Sequence, residues 1–107
     1  RRACAQPSIS AQGEGLPEMA NLAAGMLRHV GCSVELVPTD GAPVVLGRMT
    51  GHGERALLLY NHYDVQPVDP LDEWSTPPFE PDVRDGQLYA RGTADNKGAI
   101  VSRVCAL

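Results

Sequence analysis

The chain has 107 residues, a net charge of −4, 43% hydrophobic and 21% charged residues, the composition of an ordinary folded protein and not of a disordered or collagen-like one. At most one domain with a modest core fits this length. Thirteen Asp and Glu against nine Lys and Arg leave no basic stripe for a phosphate backbone, so nucleic acid is not expected as a partner. The longest apolar run, Ala56 to Tyr60, falls far short of the ~20 residues that span a bilayer, and no membrane association is expected. The chain opens on Arg1-Arg2 without an apolar leader and stops within the apolar stretch Val101 to Leu107. It is therefore expected to be a piece of a longer protein. Cys4, Cys32 and Cys105 are odd in number, widely spaced and without a CxxC pair. Free thiols in a reducing, cytoplasmic setting are the expectation, with no disulfide framework and no cysteine-based metal site.

In chain order, residues 7–15 are turn-formers without periodicity and read as a loop. Leu16, Met19, Leu22, Ala23, Met26, Leu27 and Val30 then recur at helical spacing, with Pro17 near the start and Gly31 after the end. Ser33 to Val37 alternates as a half-buried strand does. Val44 to Met49 reads as its partner across the turn Asp40-Gly41-Ala42-Pro43. Arg55 to Tyr60 is a short continuous apolar run ending in polar residues, which predicts a central strand covered on both faces. Residues 67–81 hold five of the nine prolines with the sole Trp and sole Phe, Trp74 and Phe79, so a long loop pinned by two aromatics is predicted. Asp85-Gly86 between Pro81–Arg84 and Gln87–Ala90 predicts a tight hairpin. Ala99, Ile100, Val101, Val104 and Cys105 predict a helix beginning after Gly98. Helix, strands, hairpin and helix along one chain predict an α/β layer architecture.

Two short segments carry residues capable of chemistry. His62-Tyr63-Asp64 follows the apolar run, and in extended chain residues two apart face the same side, so imidazole and carboxylate converge. A metal-bound His commonly gives its other ring N–H to a carboxylate, although the same tripeptide is equally a pair of surface residues. Arg91-Gly92-Thr93-Ala94-Asp95-Asn96-Lys97-Gly98 sets Asp95 among small residues between a hairpin strand and a helix start. There it can point into a crevice or cap the helix that follows. His29, at the end of the first helix, reads as structural, and His52, in Gly51-His52-Gly53, as solvated surface. Arg91 and Lys97 read as structural salt-bridge partners. An anion site at Arg91-Gly92 and the helix start is disfavoured, because Asp95 at that terminus would repel the anion.

Taken together, Tyr60-Asn61-His62-Tyr63-Asp64-Val65-Gln66-Pro67, Trp74-Ser75-Thr76-Pro77-Pro78-Phe79-Glu80-Pro81 and Leu88-Tyr89-Ala90-Arg91-Gly92-Thr93-Ala94-Asp95-Asn96-Lys97-Gly98 resemble the M20 family of zinc metallopeptidases. Residues 1–54 fit its N-terminal helix and hairpin more loosely. The resemblance implies a three-layer, mixed-sheet α/β zinc-exopeptidase catalytic domain, interrupted by a smaller dimerisation domain. Residues 1–107 would be its N-terminal part, ending after the second motif. It further implies two zinc ions per active site, with His62 matching the ligand of one and Asp95 the carboxylate bridging both. Asp64 matches the carboxylate that orients His62, and the peptide bond after Asp95 is expected to be cis. The family's general-base Glu, its neighbouring Glu ligand, a further carboxylate ligand and a last His have no counterpart here. The implied activity is hydrolysis of an amide bond in a dipeptide or small peptide by metal-activated water, in a homodimer. The His62–Pro67 stretch with Asp95-Asn96-Lys97 looks most like the dipeptidase and carnosinase-like branch, although Asn61 stands where many members carry Gly. The alternatives are an N-acyl-amino-acid deacylase of the acetylornithine or succinyl-diaminopimelate type, and a non-catalytic binding module that keeps the fold.

Overall fold

The computed structural model describes residues 1–107 and begins with a single helical turn, α1 (Arg2–Ala5), whose Ala3 and Cys4 are buried. A turn of 3₁₀ helix, Ser10–Gln12, follows. Helix α2 (Leu16–His29) runs as its periodicity predicts, with Pro17 in its first turn, Arg28 and His29 in its last, and Met19, Ala20, Ala23 and Ala24 on the buried stripe. Strands β1 (Ser33–Val37) and β2 (Val44–Arg48) pair antiparallel with Ser33 opposite Arg48 and Val37 opposite Val44. Helix α2 packs on this hairpin, where the side chain of Leu27 sits directly over Gly47.

A second antiparallel hairpin joins β3 (Asp82–Arg84) to β4 (Gln87–Tyr89). Asp85 (φ +50) and Gly86 (φ +75) are both left-handed, as a two-residue turn matched to strand twist requires. Helix α3 (Gly98–Cys105) closes the chain. Between the hairpins the proline-rich stretch is irregular apart from the 3₁₀ turn Leu71–Glu73, and its Asp69–Pro70 bond is cis. Trp74 is tied down by Nε1–H donating to Val68 O at 2.8 Å. The class is α/β, as predicted, and no helix is long and apolar enough to cross a membrane. Cys4, Cys32 and Cys105 are all free.

One predicted element does not form. Arg55–Tyr60 makes no ladder, and every residue from Gly51 to Tyr60 is exposed, Leu57 at 82% and Leu58 at 86%. A central strand takes hydrogen-bonded neighbours at both edges and apolar cover on both faces; these 107 residues place neither there. The sheets present are the two hairpins, and parallel pairing is confined to one bridge between Ile9 and Val65. That bridge docks the N-terminal segment beside the His62–Val65 stretch.

Candidate active site

The three residues singled out from sequence come together. His62 lies between two carboxylates: Nδ1 is 3.2 Å from Asp64 Oδ1, and Nε2 is 2.8 Å from Asp95 Oδ1. Nδ1 also lies 3.2 Å from the Asp64 carbonyl oxygen. The first pair is two positions apart, the spacing from which convergence is expected, while the second spans 33 positions and is made by the turn before α3. Partial burial opposes charge on the imidazole. The Asp95 hydrogen bond and charge and the Asp64 carbonyl and carboxylate outweigh it, so the His62 pKa is raised. The neighbouring Tyr63 phenol is also raised, by burial and by the Asp64 charge.

The backbone presents Asp95 rather than using it as a cap. Thr93–Lys97 is a wide turn interrupted at Asp95 (φ −129, ψ 94), and the Asp95–Asn96 bond is cis, as the resemblance implies. Gly98 N–H reaches back to Thr93 O, and Lys97 N–H to Gly92 O at 2.9 Å. No side chain caps α3, so the helix-capping alternative for Asp95 is not realised. Its side chain is 76% exposed, and only one carboxylate oxygen is engaged.

Behind these residues stands a set of tethers that sequence reasoning missed. Ser10 Oγ donates to Asp64 Oδ2 at 2.7 Å. Ser8 Oγ donates to Tyr63 O at 2.7 Å, and Val65 N–H to Ser8 O at 2.8 Å. On α3, Arg103 Nη1 donates to Tyr60 O and, at 2.7 Å, to Asn61 Oδ1. The Tyr63 hydroxyl donates to Pro43 O at 2.6 Å. Each partner is at least 20 positions away, and no periodicity or motif marks the pairing. The serines fall in the stretch read as a plain loop.

Arg91 and Lys97 are structural, but neither forms the expected salt bridge. Arg91 Nη2 donates to Pro67 O at 2.9 Å, and the guanidinium lies 4.9 Å from the Trp74 ring centre. Lys97 is fully buried, with Nζ donating to Gln6 O and lying 5.7 Å from the Phe79 ring centre. Burial pushes its pKa down to about 8, with Cys4 pulling the other way. The exposed His29 and His52 take no part in the site. A shallow cleft of about 380 Å³, lined in part by Trp74, Thr76, Leu88, Tyr89, Thr93 and Ala94, borders the Asp95 turn, but His62, Asp64 and Asp95 do not line it.

The donor set fits a zinc-type cation in part. A ring nitrogen and a carboxylate oxygen converge, a second carboxylate stands behind the ring, and imidazole with carboxylate suits such a metal. No three His, Cys, Asp or Glu side chains are arranged so that all could hold one metal ion, because Asp64 lies on the far side of the ring from Asp95, so two donors are what the chain offers.

Residues 58–107 match the family model described as Peptidase family M20/M25/M40. The chain is 40% identical over 81 residues to the succinyl-diaminopimelate desuccinylase of Dechloromonas aromatica, covering 76% of this chain and 21% of the relative. It is 46% identical over 57 residues to the enzyme of that name from Methylococcus capsulatus, covering 53% and 15%. Among solved structures, an M20 family metallo-carboxypeptidase from Sulfolobus solfataricus superposes with a TM-score of 0.95 at 42% identity, over 98% of this chain and 24% of that one. Human carnosine dipeptidase 1 superposes with a TM-score of 0.86 at 32% identity, over 98% and 26%. The chain thus spans about a quarter or less of the length of these relatives.

Proposed function

Because this chain belongs to peptidase family M20/M25/M40, we propose that it is the N-terminal part of the catalytic domain of a metal-dependent hydrolase that cleaves an amide bond in a short peptide. The observation that carries the reading is His62 held between Asp64 on Nδ1 and Asp95 on Nε2. His62 and Asp95 would hold zinc, and Asp95, with one oxygen free, is suited to bridge two ions. When bound, the metal polarises the scissile carbonyl and acidifies a water molecule. Asp64 sets the ring orientation and keeps Nδ1 protonated, leaving Nε2 as the donor. The general base, the remaining ligands and a homodimeric assembly belong to the intact protein and are carried by the family resemblance alone. A cytoplasmic setting is supported by the three unpaired cysteines.

A second reading has an observation of its own: the curated relatives named above are desuccinylases, which favours an N-acyl amino acid as substrate. The dipeptidase reading is supported by the carnosinase-like motif with Gln66 and Asn96-Lys97 and by the two structural neighbours, a carboxypeptidase and a dipeptidase.

Both steps are testable in the intact protein. His62→Ala and Asp95→Ala should each lower bound zinc and abolish hydrolysis. Asp64→Ala should keep most of the metal yet lose activity by about 10–100-fold, as removal of a ligand's hydrogen-bonding partner typically does. Metal content by mass spectrometry decides the first step, and full zinc in His62→Ala overturns the ligand assignment. Initial rates on a panel of dipeptides against N-succinyl and N-acetyl amino acids decide the second. Faster cleavage of the dipeptides is expected, and a strong preference for the acyl substrates moves the protein to the deacylase branch.

A further inference from the structure

The residue with the most direct purchase on the site, beyond those the family pattern names, is Ser10. An aspartate's terminal torsion is broad and roughly two-fold, and the Asp64 side chain is 41% exposed, so nothing intrinsic to Asp64 decides which way its carboxylate lies. Ser10 Oγ–H on Oδ2 supplies that decision, because it leaves Oδ1 facing His62 Nδ1. The hydroxyl is delivered from fixed backbone. Ser8 and Ile9 are buried, Ser8 exchanges hydrogen bonds with Tyr63 and Val65 on either side of Asp64, and Ile9 bridges both Glu14 and Val65. The 3₁₀ turn that starts at Ser10 is closed by Gly13 N–H on Ser10 O at 3.1 Å, with Gly13 left-handed at φ +67.

We propose that Ser10 is a positioning residue for His62, acting through Asp64: its hydroxyl fixes the carboxylate that fixes the imidazole, so that Nε2 is held toward Asp95. The orientation of the ring follows from the hydrogen bonds alone; the consequence for zinc rests on the reading of His62 and Asp95 as its ligands.

The test uses the intact protein with Ser10→Ala, Ser10→Thr, Asp64→Ala and the Ser10→Ala/Asp64→Ala double variant. Zinc affinity is measured by chelator competition, alongside kcat, KM and thermal unfolding. Ser10→Ala should weaken zinc binding by roughly 3–10-fold, less than the 10–100-fold typical one bond nearer the metal. It should lower kcat with little change in KM. Ser10→Thr, which keeps the hydroxyl, should restore both. In the Asp64→Ala background the Ser10→Ala change should add nothing, because its only route to His62 is gone. Wild-type zinc affinity and kcat in Ser10→Ala overturn the proposal, and so does an undiminished Ser10→Ala loss in the absence of the Asp64 carboxylate. If His62→Ala retains full zinc, the metal reading fails, and Ser10 is then judged by the crystal structure of Ser10→Ala. A carboxylate turned away from His62 supports the proposal, and an unmoved one overturns it.

Discussion

Gly98 has the φ of an ordinary helical residue, −62, yet nothing larger fits: a methyl group there would overlap the carbonyl oxygen of Thr93. That carbonyl accepts the N–H of Gly98 itself and closes the turn that presents Asp95. At the other end of the turn Gly92 is left-handed at φ +79, and a methyl group would lie 2.5 Å from Val65 Cγ1. The Asp95 carboxylate is thus aimed by two residues chosen for what they lack. Gly86 gives a contrast, being left-handed at φ +75 but with open space around it. Gly98→Ala is expected to cost about 1–3 kcal/mol as an overpacking change, and to weaken zinc binding of the intact protein because Thr93 cannot yield without moving Asp95. Gly86→Ala is expected to cost about 1–2 kcal/mol from its left-handed backbone and to leave zinc binding alone. Unfolding and chelator titrations on the two variants separate the effects; equal zinc affinities would show that the turn tolerates the shift.

Helix α2 earns its place through one stripe. Met19, Ala20 and Ala24 are wholly buried and Ala23 nearly so, so the helix approaches its neighbours closely through alanines and fills the remaining space with Met19. Met19→Ala should destabilise by about 2–5 kcal/mol through the lost transfer energy and the cavity left behind, whereas Met19→Leu should cost under about 1.5 kcal/mol. Denaturant unfolding of the intact protein measures both, and a loss below 1 kcal/mol for Met19→Ala would mean the stripe collapses into the gap. This helix was legible in the sequence because its signals are local: apolar residues at helical spacing, Pro17 inside the start and Gly31 beyond the end. The β3–β4 turn was legible for the same reason, since Asp85-Gly86 encodes its own backbone. The His62–Asp64 relation followed from strand period alone, and the approach of Asp95 only from the family pattern. What stayed hidden was pairing at long range. Ser10 finds Asp64 across 54 positions, Arg103 finds Asn61 across 42 and Lys97 finds Gln6 across 91. Lys97 misled in kind as well as place, since a flanking cation suggests a carboxylate partner and the structure gives it a carbonyl and the Phe79 ring instead. Arg55–Tyr60 misled because a strand pattern states a capacity to pair, while pairing itself belongs to tertiary structure.

For the 107 residues taken together, the surface is the telling quantity. A folded monomer of 11.4 kDa exposes roughly 5,800 Å² by the usual mass scaling, whereas this chain exposes 7326 Å². Its radius of gyration is 14.9 Å, against about 13 Å for a compact domain of this length. Only 13 residues are buried, most of them on α1, on α2 and about the Ile9–Val65 bridge, while Leu57, Leu58, Leu59 and Tyr60 lie exposed. Two hairpins in separate sheets leave four strand edges open, and such edges with an exposed apolar run invite association. The site has a parallel weakness: His62 and Asp95 bring two donors from positions 33 apart, where catalytic zinc normally takes three protein ligands and structural zinc four. Two donors cannot offset the entropy of closing that loop. We therefore expect residues 1–107, produced alone, to show no sharp unfolding transition, to associate through the 55–60 segment, and to hydrolyse no dipeptide with zinc supplied. Replacing Leu57 and Leu58 by Ser should reduce the association without creating a transition. Calorimetry, light scattering and a turnover assay on the isolated chain test this together. A cooperative melt would mean that the small core around Met19 and Ile9 suffices on its own. Turnover that vanishes in Asp95→Ala would mean that the chemistry needs nothing beyond His62, Asp64 and Asp95, and the ligand count argued above would be wrong.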